Sequence, residues 1–268
     1  VPNPVRIKLI EPLVTIDYEK FCRTMLPNSN RFRLAEVRAV EGDKVMTNAG
    51  DFQSGCLVDC TGWRAVLANC IRPALASGQT LAFGIESEIG YTDDEIHFIF
   101  DHSLLPDGYA WIFPAGRRSR IGVGTFNGRT RLYPDLSRLL ARFGLGVGPI
   151  HGGYIPFVPR PATVDHIFVV GDSAGHPIPF TLEGIRRSIW NGMICGRLVN
   201  EIVQGRMRLE DGLRKYRIAA ERSRLAYRFL AVLQRQYVRD GGSSLRLIMK
   251  LFLAPTLGPM LQKSYFLI

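Results

Sequence analysis

Two stretches of this 268-residue chain combine ligand-binding residue types with a spacing that would gather them on one side of a fold. The first runs Ile167-Phe-Val-Val170, then Gly171-Asp172-Ser-Ala-Gly175-His176-Pro177-Ile-Pro179, then Leu182-Glu-Gly184-Ile185-Arg186. The unbroken apolar run predicts a strand buried on both faces. A strand ending in Gly-Asp sets one carboxylate at its C-terminal edge, where ligands sit in α/β sheets. Asp172 there could accept hydrogen bonds from a polyol or ribose. Gly171 and Gly175 would let backbone approach a ligand closely, and Pro177 and Pro179 stiffen the loop. A helix predicted from Gly184 presents unpaired N–H groups and positive potential. The second stretch is Tyr109-Ala-Trp111-Ile-Phe113-Pro114, a seven-residue spacer, then Gly122-Val-Gly124. Tyr109, Trp111 and Phe113 alternate along a strand and so share one face, offering apolar area to a ligand or to a plain sheet core.

Together these stretches resemble the geranylgeranyl reductase family of flavoproteins, within the larger group that shares the p-hydroxybenzoate hydroxylase fold. The YxWxFP…GxG signature is complete, and most of the GDxAG…P…GEGI flavin segment is present. A third stretch, Leu57-Val-Asp59-Cys-Thr-Gly62-Trp-Arg64, resembles the family's DATG(x)R segment. The resemblance runs from about Asp17 to the C-terminus. It implies FAD as cofactor, with Asp172 on the ribityl chain and the Gly184-Ile185 backbone at the pyrimidine edge. Asp59, Gly62, Gly171, Gly175 and Pro179 complete the implied cofactor set. A helix N-terminus aimed at the pyrimidine end would stabilise the reduced flavin's negative charge. The substrate implied is an isoprenoid lipid, lined by Tyr109, Trp111, Phe113, Pro114, Gly122 and Gly124. One departure is Leu182, where the family has glycine: it adds bulk and gives up freedom at positive φ.

Other polar groups give weaker signals. Gly116-Arg117-Arg118-Ser119-Arg120 could hold a diphosphate headgroup, but reads more simply as a solvated hairpin tip. Arg186 and Arg187 oppose the helix dipole, which hints at an anionic ligand or acidic partner. His176 suits an ordered turn better than proton donation. His97, His102, His151 and His166 have no metal-ligand spacing, and no residue stands out as a catalytic acid or base.

The elements that must position these groups can be read coarsely. Asp17 caps a short helix to Leu26. Strands are expected at 34–40 and 44–48 around a Glu41-Gly42-Asp43 turn, with another extended segment at 51–59. Leu81–Gly90 is expected to pair with Glu95–Asp101, and Tyr109–Phe113 with Ile121–Phe126. A helix is expected over 132–143 and a Gly-rich loop over 144–153. The clearest helix is 184–203, where Gly192 and Gly196 share a face suited to close approach. A long helix or helix pair over 209–238 ends at Gly241-Gly242, and a further helix covers 245–253.

The fold class expected is α/β: a Rossmann-like FAD-binding domain, N-terminally incomplete, with an inserted antiparallel substrate sheet and a helical C-terminus. The expected divisions are 1–75 with 160–205, 76–159, and 206–268. Residues 206–268 carry 13 Lys/Arg and 4 Asp/Glu, a net +9 of the chain's +10. A basic tail rich in leucine and aromatics suits an anionic membrane surface, or else a solvated helix face; no nucleic-acid motif accompanies it. The five cysteines form no CxxC pair and suit a reducing compartment. The expectation is a cytoplasmic protein, peripheral at the inner membrane face.

The Gly-rich dinucleotide loop of such proteins is missing from this sequence. Gly144-Leu-Gly146-Val-Gly148-Pro149 comes nearest, but it follows a predicted helix, and Pro149 is wrong for a helix start. Weak FAD binding by this chain is therefore expected, and a fragment, a split protein and a remnant all stay open. The activity implied is reduction of polyprenyl carbon–carbon double bonds; the sequence does not reveal whether NAD(P)H or ferredoxin is the electron donor. The alternatives are a monooxygenase, halogenase or epoxidase on the same fold, or a non-catalytic remnant.

Overall fold

The computed structural model describes residues 7–9, 11–26, 32–75, 81–243, 245, 249–250, 253–255 and 257–267. The helix expected over 245–253 lies largely outside them. The chain divides into two compact units: Leu26–Ala82 with Tyr154–Leu230, and Phe83–Gly153 with Ala231–Ile268 and the first 25 residues.

In the first of these units, β1 (Val37–Glu41), β2 (Lys44–Thr47) and β3 (Gly50–Gln53) form an antiparallel meander. The extended segment expected over 51–59 is two strands, the second being β4 (Leu57–Asp59). Gly62–Arg64 then makes a 3-10 turn into the short helix α2 (Val66–Ile71). β4 lies parallel to β11 (Ile167–Val169), which pairs antiparallel with β10 (Thr163–Val164). β11 is fully buried, as its apolar run requires. Its side chains alternate between two cores. Ile167 and Val169 pack with Leu57, Leu67 and Ala68. Phe168 packs with Cys195 of α4 (Ile185–Val203) and Tyr216 of α5 (Leu209–Glu221).

Gly192 and Gly196 of α4 do not serve close packing: a Cβ on either would meet nothing within 4 Å. The 206–268 region is not a separate body either. Tyr216 is buried and donates its hydroxyl to the Val169 carbonyl at 3.0 Å, which ties α5 to the flavin-type sheet. Helix α6 (Arg224–Asp240) follows α5 after a two-residue turn and ends at Gly241-Gly242, both at positive φ.

The other unit is built on a five-stranded sheet in the order β6-β7-β8-β5-β9. Its strands are β5 (Leu81–Ile89), β6 (His97–Ile99), β7 (Gly108–Ala115), β8 (Arg118–Thr125) and β9 (Ile150–Pro156). β7 and β8 form the expected hairpin. The expected pairing of β5 with β6 does not occur. β5 takes β8 as its antiparallel partner over Phe83↔Thr125 to Ile89↔Ser119, while the three-residue β6 adds to the far side of β7. The last four residues of the predicted Gly-rich loop, 150–153, belong to β9. There Gly152 allows an approach that any side chain would block, since its Cβ would lie 2.2 Å from the Gly84 carbonyl oxygen. One sheet face carries the core: Ile85, Ala110, Ile112, Ile121 and Val123 pack on Leu136, Leu139 and Leu140 of α3 (Tyr133–Ala141). Helix α1 (Tyr18–Met25) is capped by Asp17, whose carboxylate accepts the Lys20 N–H at 3.0 Å. The last helix, α7, spans Leu257–Leu267.

Candidate functional site: a flavin-type sheet edge and an aromatic wall

The parallel pairing of β4 with β11 sets Asp59 beside Val169, so the two flavin-type motifs leave the sheet at the same edge. Asp59 is fully buried and all its bonds are internal. Its Oδ1 accepts the Thr61 N–H (2.9 Å), the Thr61 hydroxyl (2.7 Å) and the Ser173 hydroxyl (3.0 Å), and its Oδ2 accepts the Ala68 N–H (2.8 Å). The Thr61 hydroxyl in turn accepts the Val66 N–H at 2.6 Å. Two orphan donors of the first turn of α2 are thus satisfied from the Asp-x-Thr motif. Asp59 is a positioning residue in this geometry.

Asp172 behaves differently. Its carboxylate accepts no hydrogen bond from the described residues, and burial raises its pKa against the opposing pull of the Arg160 guanidinium. Beside it, a Cβ on Gly184 would lie 3.7 Å from Asp172 Oδ1 and 3.1 Å from Pro177 Cγ. Gly184 is the N-cap of the 19-residue helix α4 and, as glycine, offers no side-chain cap; Ile185 opens the helix with an exposed side chain. Gly62, at φ 80, has open space where a Cβ would be. Gly171 and Gly175 both sit at positive φ, but their close neighbours belong to this chain. A Cβ would lie 3.2 Å from Ser188 Oγ at Gly171 and 2.1 Å from the Val158 carbonyl oxygen at Gly175. At these two glycines the atoms nearest a Cβ belong to α4 and the 158–159 segment.

Pro179 is buried in the loop before α4. Leu182 keeps the left-handed backbone that a glycine would favour, at φ 56, at a cost of roughly 1–2 kcal/mol. Two backbone bonds hold it there, Leu182 N–H to Ile178 O and Ile178 N–H to Glu183 O, both 2.8 Å. His176 is buried and accepts the Gly171 N–H through Nδ1 at 3.2 Å. Burial, then the Arg187 charge, push its pKa down to about 3, so it stays neutral as a turn residue.

In the sheet unit the aromatic row lies on the face opposite the α3 core. Trp111 and Phe113 stack at 6.1 Å, Tyr109 lies 5.7 Å from Trp111, and Phe98 joins Phe113 at 5.4 Å. The Trp111 indole lies flat over three glycines. A Cβ on Gly122 would come within 2.2 Å of it, and one on Gly84 or Gly124 within 3.2 Å. The GxG of the signature is therefore the seat of its tryptophan. Tyr237 of α6 closes one end of the row, 5.4 Å from Phe100, and donates its hydroxyl to the Gly108 carbonyl at 3.1 Å. Pro114 stands near the hairpin end, opposite Ser119. At the hairpin tip, Arg118 pairs with Glu88 at 3.2 Å.

Sequence reading missed Glu86, which accepts the Trp111 Nε1–H at 3.0 Å and meets His151 Nε2 at 2.7 Å. Its alternation with Gly84 along β5 would have placed it on the aromatic face. It also missed Ser173 and Arg160. Arg160 is buried and donates through Nη1 to the carbonyls of Trp63 (2.7 Å) and Ser173 (3.3 Å).

This is the fold of FAD-binding, Rossmann-type oxidoreductases. The structure resembles a geranylgeranyl bacteriochlorophyll reductase-like protein from Thermoplasma acidophilum, with a TM-score of 0.67 and 18% identity over 80% of this chain and 59% of that one. It also resembles a myxobacterial FAD-dependent chondrochloren halogenase, with a TM-score of 0.52 and 16% identity over 73% and 53% of the two chains. By sequence, the chain is similar, at low identity, to proteins named as geranylgeranyl-type reductases. It is 25% identical over 223 residues to a digeranylgeranylglycerophospholipid reductase from Methanoculleus marisnigri, covering 76% of this chain and 54% of the relative. It is 28% identical over 164 residues to a chloroplastic geranylgeranyl diphosphate reductase from Arabidopsis thaliana, covering 58% and 35%. The chain thus spans about half the length of the first of these relatives or less. No family model matches it.

Proposed function

We propose that the protein is an FAD-dependent oxidoreductase that reduces carbon–carbon double bonds of a polyprenyl lipid. The observation that carries this reading is the Trp111 indole seated on Gly84, Gly122 and Gly124, which aligns Tyr109, Trp111 and Phe113 as one apolar wall. An isoprenoid chain has no polar handle, so a wall of rings is the surface that can hold it. The cofactor's residues fit as well: a half-buried Asp172 carboxylate that accepts no hydrogen bond from the described residues, next to a helix start whose N-cap is glycine. FAD, when bound and reduced, supplies the hydride. Asp172 would accept hydrogen bonds from the ribityl hydroxyls. The Gly184-Ile185 N–H groups and the dipole of α4 would stabilise negative charge at the pyrimidine edge. Asp59, through Thr61, Ser173 and Ala68, holds Gly62 and the Gly171–Gly175 turn in place.

We further read α6 as a membrane-facing helix. Leu225, Phe229 and Val232 are 77%, 62% and 52% exposed and recur on one face, beside exposed Arg228 and Arg235. Among the described residues no helix is long and apolar enough to cross a membrane, so this would be surface association.

The test is anaerobic incubation with FAD, dithionite and a geranylgeranyl lipid, followed by mass spectrometry. A gain of two hydrogens per reduced double bond is expected. Trp111→Ala should abolish the gain while leaving the affinity for added FAD nearly unchanged; equal loss of both would make Trp111 plain core. Product formed only in air, with oxygen added to the lipid, would support the monooxygenase reading instead. No product under either condition would support a non-catalytic chain.

A further inference from the structure

A cavity of about 20 Å³ lies behind the Gly171–His176 turn, enclosed by the 159–162 segment, α4, α5 and the start of α6. That is room for one water molecule or one monoatomic ion, and too little for a phosphate. Its wall carries Arg187, which is 5% exposed. Arg187 Nε is buried and has no hydrogen-bond partner among the described residues. Among the described residues no carboxylate lies within ion-pair distance of Arg187, and a buried charge left unpaired is costly.

The neighbouring groups do not supply the missing negative charge. Tyr227, which faces the guanidinium, donates its hydroxyl proton to the His176 carbonyl, and burial raises its pKa, so it stays a neutral phenol. His176 is neutral too. Glu221, at the rim, is taken by Arg224 at 3.3 Å. A water molecule would satisfy Nε but would leave the guanidinium charge uncompensated.

We propose that this cavity is a binding site for a small monovalent anion of chloride size, held by Arg187 at the back of the flavin-type turn. Ala174 and His176 line the same cavity. The anion would therefore brace the turn that carries Asp172 through these two residues. The proposal does not depend on the reaction assigned above.

The experiment is a thermal melt of the full chain in sodium chloride, sodium bromide and sodium gluconate at matched ionic strength. Chloride and bromide should raise Tm saturably, by roughly 5 °C at a hundredfold excess over Kd, relative to gluconate. Arg187→Met should erase the difference between the salts. Identical melts in all three salts, or a chloride effect that persists in Arg187→Met, would overturn the proposal. If Arg187→Met does not fold, bromide-soaked crystals of the unaltered chain decide. An anomalous peak within hydrogen-bond distance of Arg187 Nε supports the site, and a cavity without anomalous signal overturns it.

Discussion

The Ser173 hydroxyl donates to Asp59 Oδ1 at 3.0 Å across 114 residues of sequence. The same hydroxyl lies 3.1 Å from the Gly62 carbonyl. One serine thus fastens the Asp-x-Thr-Gly turn to the Gly-Asp-Ser-Ala-Gly turn, and Asp59 gathers four donors from both.

Removing that carboxylate strands its donors in a dry interior. Asp59→Ala should destabilise the fold by about 3–5 kcal/mol, at the upper end for a single substitution. Urea unfolding would measure it. A loss under about 1 kcal/mol would show that the donors find other partners.

The glycines under Trp111 should differ in their tolerance. Gly122→Ala places a methyl 2.2 Å from the indole and 2.7 Å from the Ile85 carbonyl oxygen. It should cost about 1–3 kcal/mol or more and red-shift the tryptophan emission. Gly124→Ala meets the ring at 3.2 Å and should cost less. Equal melting temperatures for the two variants would contradict the seat.

His176 gives a pH signature. Its folded pKa, about 3, lies below the unfolded value near 6.5. The unfolded chain therefore binds the extra proton between those values. The stability contribution is complete above pH ~6.5 and falls with pH at up to about 1.4 kcal/mol per unit toward pH 3. Unfolding midpoints for the unaltered chain and for His176→Asn, taken from pH 7 to 4, should converge as pH falls. Parallel curves would assign the acid sensitivity to other groups.

FAD retention is expected to be weak. The sequence contains no GxGxxG run of the kind that holds a pyrophosphate, and losing three charge-assisted hydrogen bonds weakens binding by about three orders of magnitude. After mixing with FAD and desalting, the purified chain should be nearly colourless. A stoichiometric yellow protein would mean that other residues supply that site.

Vesicle flotation examines α6. Binding to anionic vesicles that fades with salt is expected, at ~1 kcal/mol per basic residue near the surface. Partition that is the same for neutral vesicles would remove the electrostatic part, and Phe229→Glu should weaken any apolar part.

The sequence by itself determined the local units. The apolar run Ile167–Val170 had to be a buried strand, and Asp17 and Gly184 had to begin helices. The alternation of Tyr109, Trp111 and Phe113 had to put the rings on one face. These follow from periodicity and capping, which act within a few residues. Tertiary structure decided the partners. β5 joined β8 and not the nearby β6, because strand pairing is set by register and by which faces can be covered, not by nearness along the chain. Asp59 became an internal clasp and Asp172 kept its oxygens free, although both are strand-end aspartates followed by small residues. The difference lies in what the parallel pairing of β4 and β11 brings beside each. Ser173, Thr61 and the Ala68 N–H reach Asp59, and no donor among the described residues reaches the Asp172 carboxylate.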